Sequence, residues 1–79
     1  MQSGDFNPSD LVQIVTTKEA YVATRSYEDW LSWDPNNAEK FAIVLSAPEL
    51  FSSSMIVMCD GKEIWMSKYF LKKVQISET

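Results

Sequence analysis

Two apolar runs flank a single Asp-Gly step, and no other feature restricts the folds open to this chain as tightly. Ser54-Met55-Ile56-Val57-Met58-Cys59 precedes Asp60-Gly61, and Lys62-Glu63-Ile64-Trp65-Met66 follows it. Gly61 tolerates the positive φ that a tight primed turn requires, so the segment reads as an antiparallel β-hairpin. Three further segments have strand character. Leu11-Val12-Gln13-Ile14-Val15 is rich in β-branched residues and follows the breakers Asn7-Pro8-Ser9-Asp10. Phe41-Ala42-Ile43-Val44-Leu45-Ser46 sets Phe41, Ile43 and Leu45 on one face and the smaller Ala42, Val44 and Ser46 on the other, and closes at Ala47-Pro48-Glu49. Lys72-Lys73-Val74-Gln75-Ile76 is the last strand, with Val74 and Ile76 inward and Lys73 and Gln75 outward. Just before it, Ser67-Lys68-Tyr69-Phe70-Leu71 breaks the alternation over a length suited to one 3₁₀ turn.

The chain is therefore expected to be mainly β. Five short strands in 79 residues favour a small barrel, because closure removes exposed strand edges. Residues 19–40 lack period-two alternation and make a long first loop. Within it Ser26-Tyr27-Glu28-Asp29-Trp30-Leu31-Ser32-Trp33 predicts a short helix, with Ser26 as cap and Glu28 and Asp29 at the positive end of the dipole. Asp34-Pro35-Asn36-Asn37 ends it. Residues 1–8 read as an N-terminal tail and residues 9–79 as one domain, which at this size buries only about 60% of its unfolded surface.

The lone cysteine, Cys59, has no partner for an internal disulfide, which fits a reducing compartment. Met1–Pro8 has neither the basic start nor the apolar stretch of a signal peptide, and no segment approaches the length of a membrane span. A cytoplasmic location without membrane partners is the expectation. The net charge of −4 disfavours salt-driven attraction to nucleic acid. Residues 1–60 carry three basic and nine acidic side chains, whereas Lys62, Lys68, Lys72 and Lys73 gather near the C-terminus and leave room for a local basic patch.

Catalysis is not expected. The chain has no histidine, which removes the commonest general base and zinc ligand. Cys59 ends an apolar strand and reads as a small core residue, and Ser52-Ser53-Ser54 lacks the glycines of a nucleophile elbow. Two glycines cannot build a phosphate-cradling loop. Glu28, Asp29, Asp34 and Glu39 do not follow the ligand spacing of a calcium loop and read as a solvated acidic face. Neither a metal nor a cofactor is implied.

The order strand, long loop, strand, strand, Asp-Gly hairpin, strand, 3₁₀ turn, strand resembles the SH3-like barrel, in which Ser67-Lys68-Tyr69 corresponds to the Ser-x-Tyr turn leading into the last strand. Ser9-Asp10-Leu11-Val12 and Gly61-Lys62-Glu63-Ile64-Trp65 are similar to the opening and the hairpin of small SH3-like proteins common in bacteriophage genomes, although Ser9 stands where that pattern usually has glycine. The resemblance covers roughly residues 9–15 and 41–76 and implies a five-stranded SH3-like barrel and a small phage accessory protein. It does not extend to recognition of Pro-rich ligands. No Ala-Leu-Tyr-Asp-Tyr run follows the first strand, Met66 stands where the groove proline would be, and only Tyr69 of that groove is matched.

What remains is an aromatic excess. Trp65 is opposite in phase to Ile64 and Met66, so it lies on the outer sheet face if those two point inward; beside Tyr69 and Lys68 it then forms a partner-binding spot, the other reading being packing under the long loop. Trp30 and Trp33, three residues apart, form either an exposed ledge with Tyr27 or a plug over one end of the barrel. The expected function is a non-enzymatic protein-interaction module using Trp65, Tyr69, Lys68, Trp30 and Trp33. The rival is a nucleic-acid-binding barrel using the C-terminal lysines, and a third reading makes the aromatic surface a homo-oligomer seam.

Overall fold

Period-two alternation decides which side chains meet. In the computed structural model, which describes residues 6–47 and 52–74, the strands are β1 (Leu11–Ile14), β2 (Phe41–Ser46), β3 (Ser54–Cys59), β4 (Lys62–Ser67) and β5 (Leu71–Lys73). Val12 and Ile14, Ala42 and Val44, and Met55, Val57 and Cys59 are alternate residues of β1, β2 and β3, and all seven are buried. Met66, Phe70 and Leu71 complete this core from the C-terminal end. The strands form one antiparallel sheet in the order β4-β3-β2-β1-β5. In the β3–β4 hairpin Cys59 faces Lys62, and Asp60 and Gly61 take φ of 55° and 76°. Positive φ at both central residues is the signature of a type I′ turn, whose twist matches that of the flanking strands.

The sheet is open. β4 and β5 are its outer strands and do not pair with each other among the described residues, so the barrel closure expected from the strand number is not made by hydrogen bonding. The inner face is covered instead by Phe70 of the 3₁₀ turn Lys68–Phe70, against which Trp33 packs edge-on with ring centroids 5.2 Å apart. The indole N–H of Trp33 is enclosed there and finds no acceptor among the described residues.

The first loop holds one helix more than its pattern predicts. Helix α1 (Thr17–Ala23) starts at a capping box: the Glu19 N–H donates to Thr16 Oγ1 at 3.1 Å, and the Thr16 N–H donates to Glu19 Oε1 at 3.0 Å. Only Ala20 of α1 is buried, so the helix has no apolar period to announce it. Helix α2 (Tyr27–Leu31) begins at the expected cap, with the Asp29 N–H donating to Ser26 Oγ at 3.2 Å. It stops at Ser32, earlier than predicted, and Asp34 then caps a second 3₁₀ turn, Pro35–Asn37.

The packed region starts ahead of Ser9. Phe6 is buried in the core, and the Asn7 N–H donates to the Asp10 carboxylate at 2.9 Å. Ser9 takes φ of 80°, a left-handed conformation that glycine adopts more readily, while its N–H donates to the Val44 carbonyl at 2.8 Å. β5 begins at the buried Leu71; Lys73 is exposed and Val74 half-buried. Gln75, Ile76, Pro48, Glu49 and residues 1–5 lie outside the described residues.

Candidate functional site

β2 is apolar on both faces and buries the smaller one. Ala42 and Val44 point into the core, while Phe41, Ile43 and Leu45 point outward and are 57%, 40% and 39% exposed. A one-face sheet normally turns polar residues to water; apolar residues on both faces are the mark of a strand covered on both sides. Trp65 of β4, 56% exposed, continues the patch, with Met66 buried and Ile64 packed against the core on the opposite face. The two strands are bridged by half-buried side chains of β3, since Ile43 pairs with Met58 and Ile56 with Trp65. The register shifts between Val44 and Ser46, leaving Leu45 as the extra residue of a bulge.

These four side chains expose on the order of 400 Å² of apolar surface, taking a whole aromatic side chain as about 150–250 Å². Glu63 of β4 shares this face: it pairs with Met58, which pairs with Ile43, and it is exposed two residues from Trp65. At the Phe41 end, Lys40 Nζ and Asp60 Oδ2 form an exposed ion pair at 2.7 Å that neutralises that border. Asp60 holds the Lys40 ammonium above its ordinary value, and Lys40 in turn holds the Asp60 carboxyl below its own.

At the Trp65 end the patch runs into a groove of about 420 Å³ between α2 and the β3–β4 pair, walled by Leu31 and Trp65 and floored by Ser54 and Ser67. A buried carboxylate holds its shape. Asp29 accepts from the Arg25 N–H at 3.1 Å and from the Ser53 hydroxyl at 3.0 Å. Its carbonyl accepts from the Ser32 hydroxyl at 2.7 Å, and Ser32 Oγ accepts from the Ser67 N–H at 3.1 Å. This chain of bonds ties α2 to the edge strand β4 and gives the Ser67 N–H a partner.

The other sequence-predicted site residues lie elsewhere. Tyr69 is partly exposed beneath two cations, Arg25 Cζ at 5.1 Å and Lys68 Nζ at 5.6 Å from its ring centroid. Arg25 lines a separate cleft with Tyr21, Tyr27 and Trp30, while Trp65 lines the groove with Leu31 and Ser67. Trp30 and Trp33 are half-buried and pack against the core, Trp30 also meeting Tyr21 edge-on at 6.1 Å. Two of the four C-terminal lysines have acidic neighbours: Lys72 lies 3.5 Å from Glu19 and Lys73 3.6 Å from Asp10.

Burial raises the Cys59 thiol above its ordinary value, so little thiolate forms at neutral pH. Among the described residues no group of three or more His, Cys, Asp or Glu side chains is placed to hold a metal ion, and no helix is long and apolar enough to cross a membrane. No protein-family model, curated protein or solved structure matches the chain. The arrangement is an apolar sheet face with a polar-floored groove at one end.

The outer residues of β2 were absent from the sequence-predicted site, although their alternation was plain. The available signal was the run Phe41–Leu45 itself, five apolar residues with no polar face.

Proposed function

We propose that this chain is a non-enzymatic protein-interaction module of the SH3-like type, binding another protein through Phe41, Ile43, Leu45 and Trp65. The observation that carries this reading is the exposure of four large apolar side chains on one sheet face, with the carboxylate of Glu63 beside them. A patch of about 400 Å² falls within the range of the largest apolar patch on a typical monomer, about 300–600 Å², which often serves function. The SH3-like part is supported by the antiparallel order β4-β3-β2-β1-β5, the Asp60-Gly61 hairpin and the 3₁₀ turn between β4 and β5. Tyr69 and Lys68 lie outside the binding face in this reading, while Trp30 and Trp33 hold the first loop on the core. The single buried thiol suits a reducing, cytoplasmic setting. Nucleic-acid binding ranks second, because Lys72 and Lys73, two of the four lysines that would attract phosphate, already face Glu19 and Asp10.

The test is affinity capture by the full chain from nuclease-treated native lysate, compared with a Phe41→Ser/Trp65→Ser variant of unchanged circular dichroism. Loss of captured proteins in the variant is expected. Capture that survives the double substitution, or that disappears with nuclease, would reject the reading.

A further inference from the structure

The outer strand β4 leaves backbone groups open at the edge of the sheet. A two-residue turn makes Cys59 and Lys62 a hydrogen-bonded pair, and the pairing alternates from there. Lys62, Ile64 and Met66 therefore turn their N–H and C=O groups to β3, and Glu63, Trp65 and Ser67 turn theirs outward. Two bonds fix the same phase independently: the Lys68 N–H donates to the Ser53 carbonyl at 2.7 Å, and the outward Ser67 N–H donates to Ser32 Oγ at 3.1 Å. The outward groups of Glu63 and Trp65 have no partner among the described residues, because β4 ends the sheet there. We infer that this edge receives an extended peptide segment of a partner protein as a sixth, antiparallel strand, with an apolar residue opposite Trp65 and a lysine or arginine opposite Glu63. The inference rests on the protein-binding reading and adds the edge beside Trp65 to the binding face.

Three observations favour that occupant. The first is geometry: Glu63 and Trp65 together offer two donors and two acceptors along one edge, which an extended backbone meets one for one. The second is where the open edge stops. Ser32 of α2 stands at the Ser67 N–H, in the place where a longer added strand would put a carbonyl. A second copy pairing β4 with β4 through all the open groups sets Glu63 against Trp65 and its own Gly61 against Ser67, so its Asp60-Gly61 turn meets α2. A peptide can begin at that point and run along residues 62–66 alone. The third is side-chain chemistry. On the outer face the exposed Trp65 and Leu31 wall the groove and make a seat for an apolar side chain. Glu63 faces Met58 across the hairpin and takes part in no ion pair among the described residues, so a basic residue directly opposite it supplies the missing charge. Between these two positions the peptide residue falls opposite the half-buried Ile64, on the inner face.

The probe is acetyl-Thr-Tyr-Val-Lys-Thr-amide, whose Tyr lies opposite Trp65 and whose Lys lies opposite Glu63 in antiparallel register. It is titrated into the isotope-labelled full chain to about 5 mM and followed by amide resonances. At twice its Kd it should slow hydrogen exchange of the Glu63 and Trp65 amides about threefold and leave the Ile64 amide, already bonded to β3, unchanged. N-methylation of the peptide at Tyr or Lys, whose N–H groups face β4, should weaken binding about tenfold or more, whereas N-methylation at Val, whose N–H faces away, should not. Glu63→Pro removes an outward N–H and leaves the β3 ladder whole, so it should abolish binding with circular dichroism unchanged. Glu63→Gln should weaken binding about threefold. No binding at about 5 mM, equal effects of N-methylation at Val and at Tyr, or shifts confined to Phe41 and Ile43 would overturn strand addition. The binding reading survives any of these if Phe41→Ser/Trp65→Ser still abolishes capture of another protein. A two-chain mass in sedimentation that Glu63→Pro returns to one chain would give the edge to a second copy and overturn the peptide as occupant.

Discussion

Replacing Asp29 with alanine removes a carboxylate that is only 5% exposed and that accepts hydrogen bonds from the Arg25 N–H and the Ser53 hydroxyl. A hydrogen bond to a charged group contributes about 1.5–3 kcal/mol, and relief of the buried charge offsets part of two such bonds. A net loss of about 2–4 kcal/mol follows, large against the roughly 4–12 kcal/mol available to a domain of this length at 0.05–0.15 kcal/mol per residue. Equilibrium urea unfolding followed by tryptophan fluorescence measures it. With a slope of about 1 kcal/mol per molar urea, the midpoint should fall by about 2–4 M. Ser53→Ala alone should cost about 1 kcal/mol, and the two substitutions together less than their sum, because they share one bond. A loss below about 1 kcal/mol for Asp29→Ala, or strict additivity with Ser53→Ala, would refute the view that this carboxylate pins α2 to the sheet.

Ser9→Gly should stabilise the fold by up to about 1 kcal/mol, since relief of a left-handed serine outweighs the added freedom of the unfolded chain; thermal unfolding that shows a clear loss would count against it. Cys59 should resist an aromatic disulfide reagent in native buffer and react at once in denaturant, and rapid native labelling would contradict its burial. Glu19 sits below its ordinary value of 4.5, chiefly because its carboxylate accepts from the Thr16 N–H. Its contribution is therefore complete above that value and fades as the pH falls below it through the lowered folded value. Unfolding titrations between about pH 3 and pH 6 should show a steeper acid loss for wild type than for Glu19→Gln, and parallel curves would remove the capping box from the stability of α1.

The legibility of the fold varied with how local its causes are. The β3–β4 hairpin was readable because Asp60-Gly61 admits few other turns, and the α2 cap because Ser26 and Asp29 lie three residues apart. The outward direction of Trp65 followed from its phase with Met66. Helix α1 was harder: its Thr16 and Glu19 make a capping box, but a seven-residue helix burying one alanine leaves almost no periodic trace. Barrel closure was not legible, because the 3₁₀ turn Lys68–Phe70 sends the last strand to β1 and away from its sequence neighbour β4, a choice that strand count does not decide. Nor was the inward face of β2. Both faces are apolar, and the choice of Ala42 and Val44 depends on how much of the core is already filled by distant residues such as Phe70 and Met66.

The most direct measurement is hydroxyl-radical footprinting of the chain in its native lysate against the purified chain at high dilution. Tyr21 and Tyr27, each 75% exposed and far from the stripe in sequence, serve as internal references. Protection of Phe41, Ile43 and Trp65 with unchanged oxidation of Tyr21 and Tyr27 is the expected result. Equal oxidation of the stripe in both samples, or protection confined to Tyr21 and Tyr27, would contradict the assignment of the β2–β4 outer face as the binding surface.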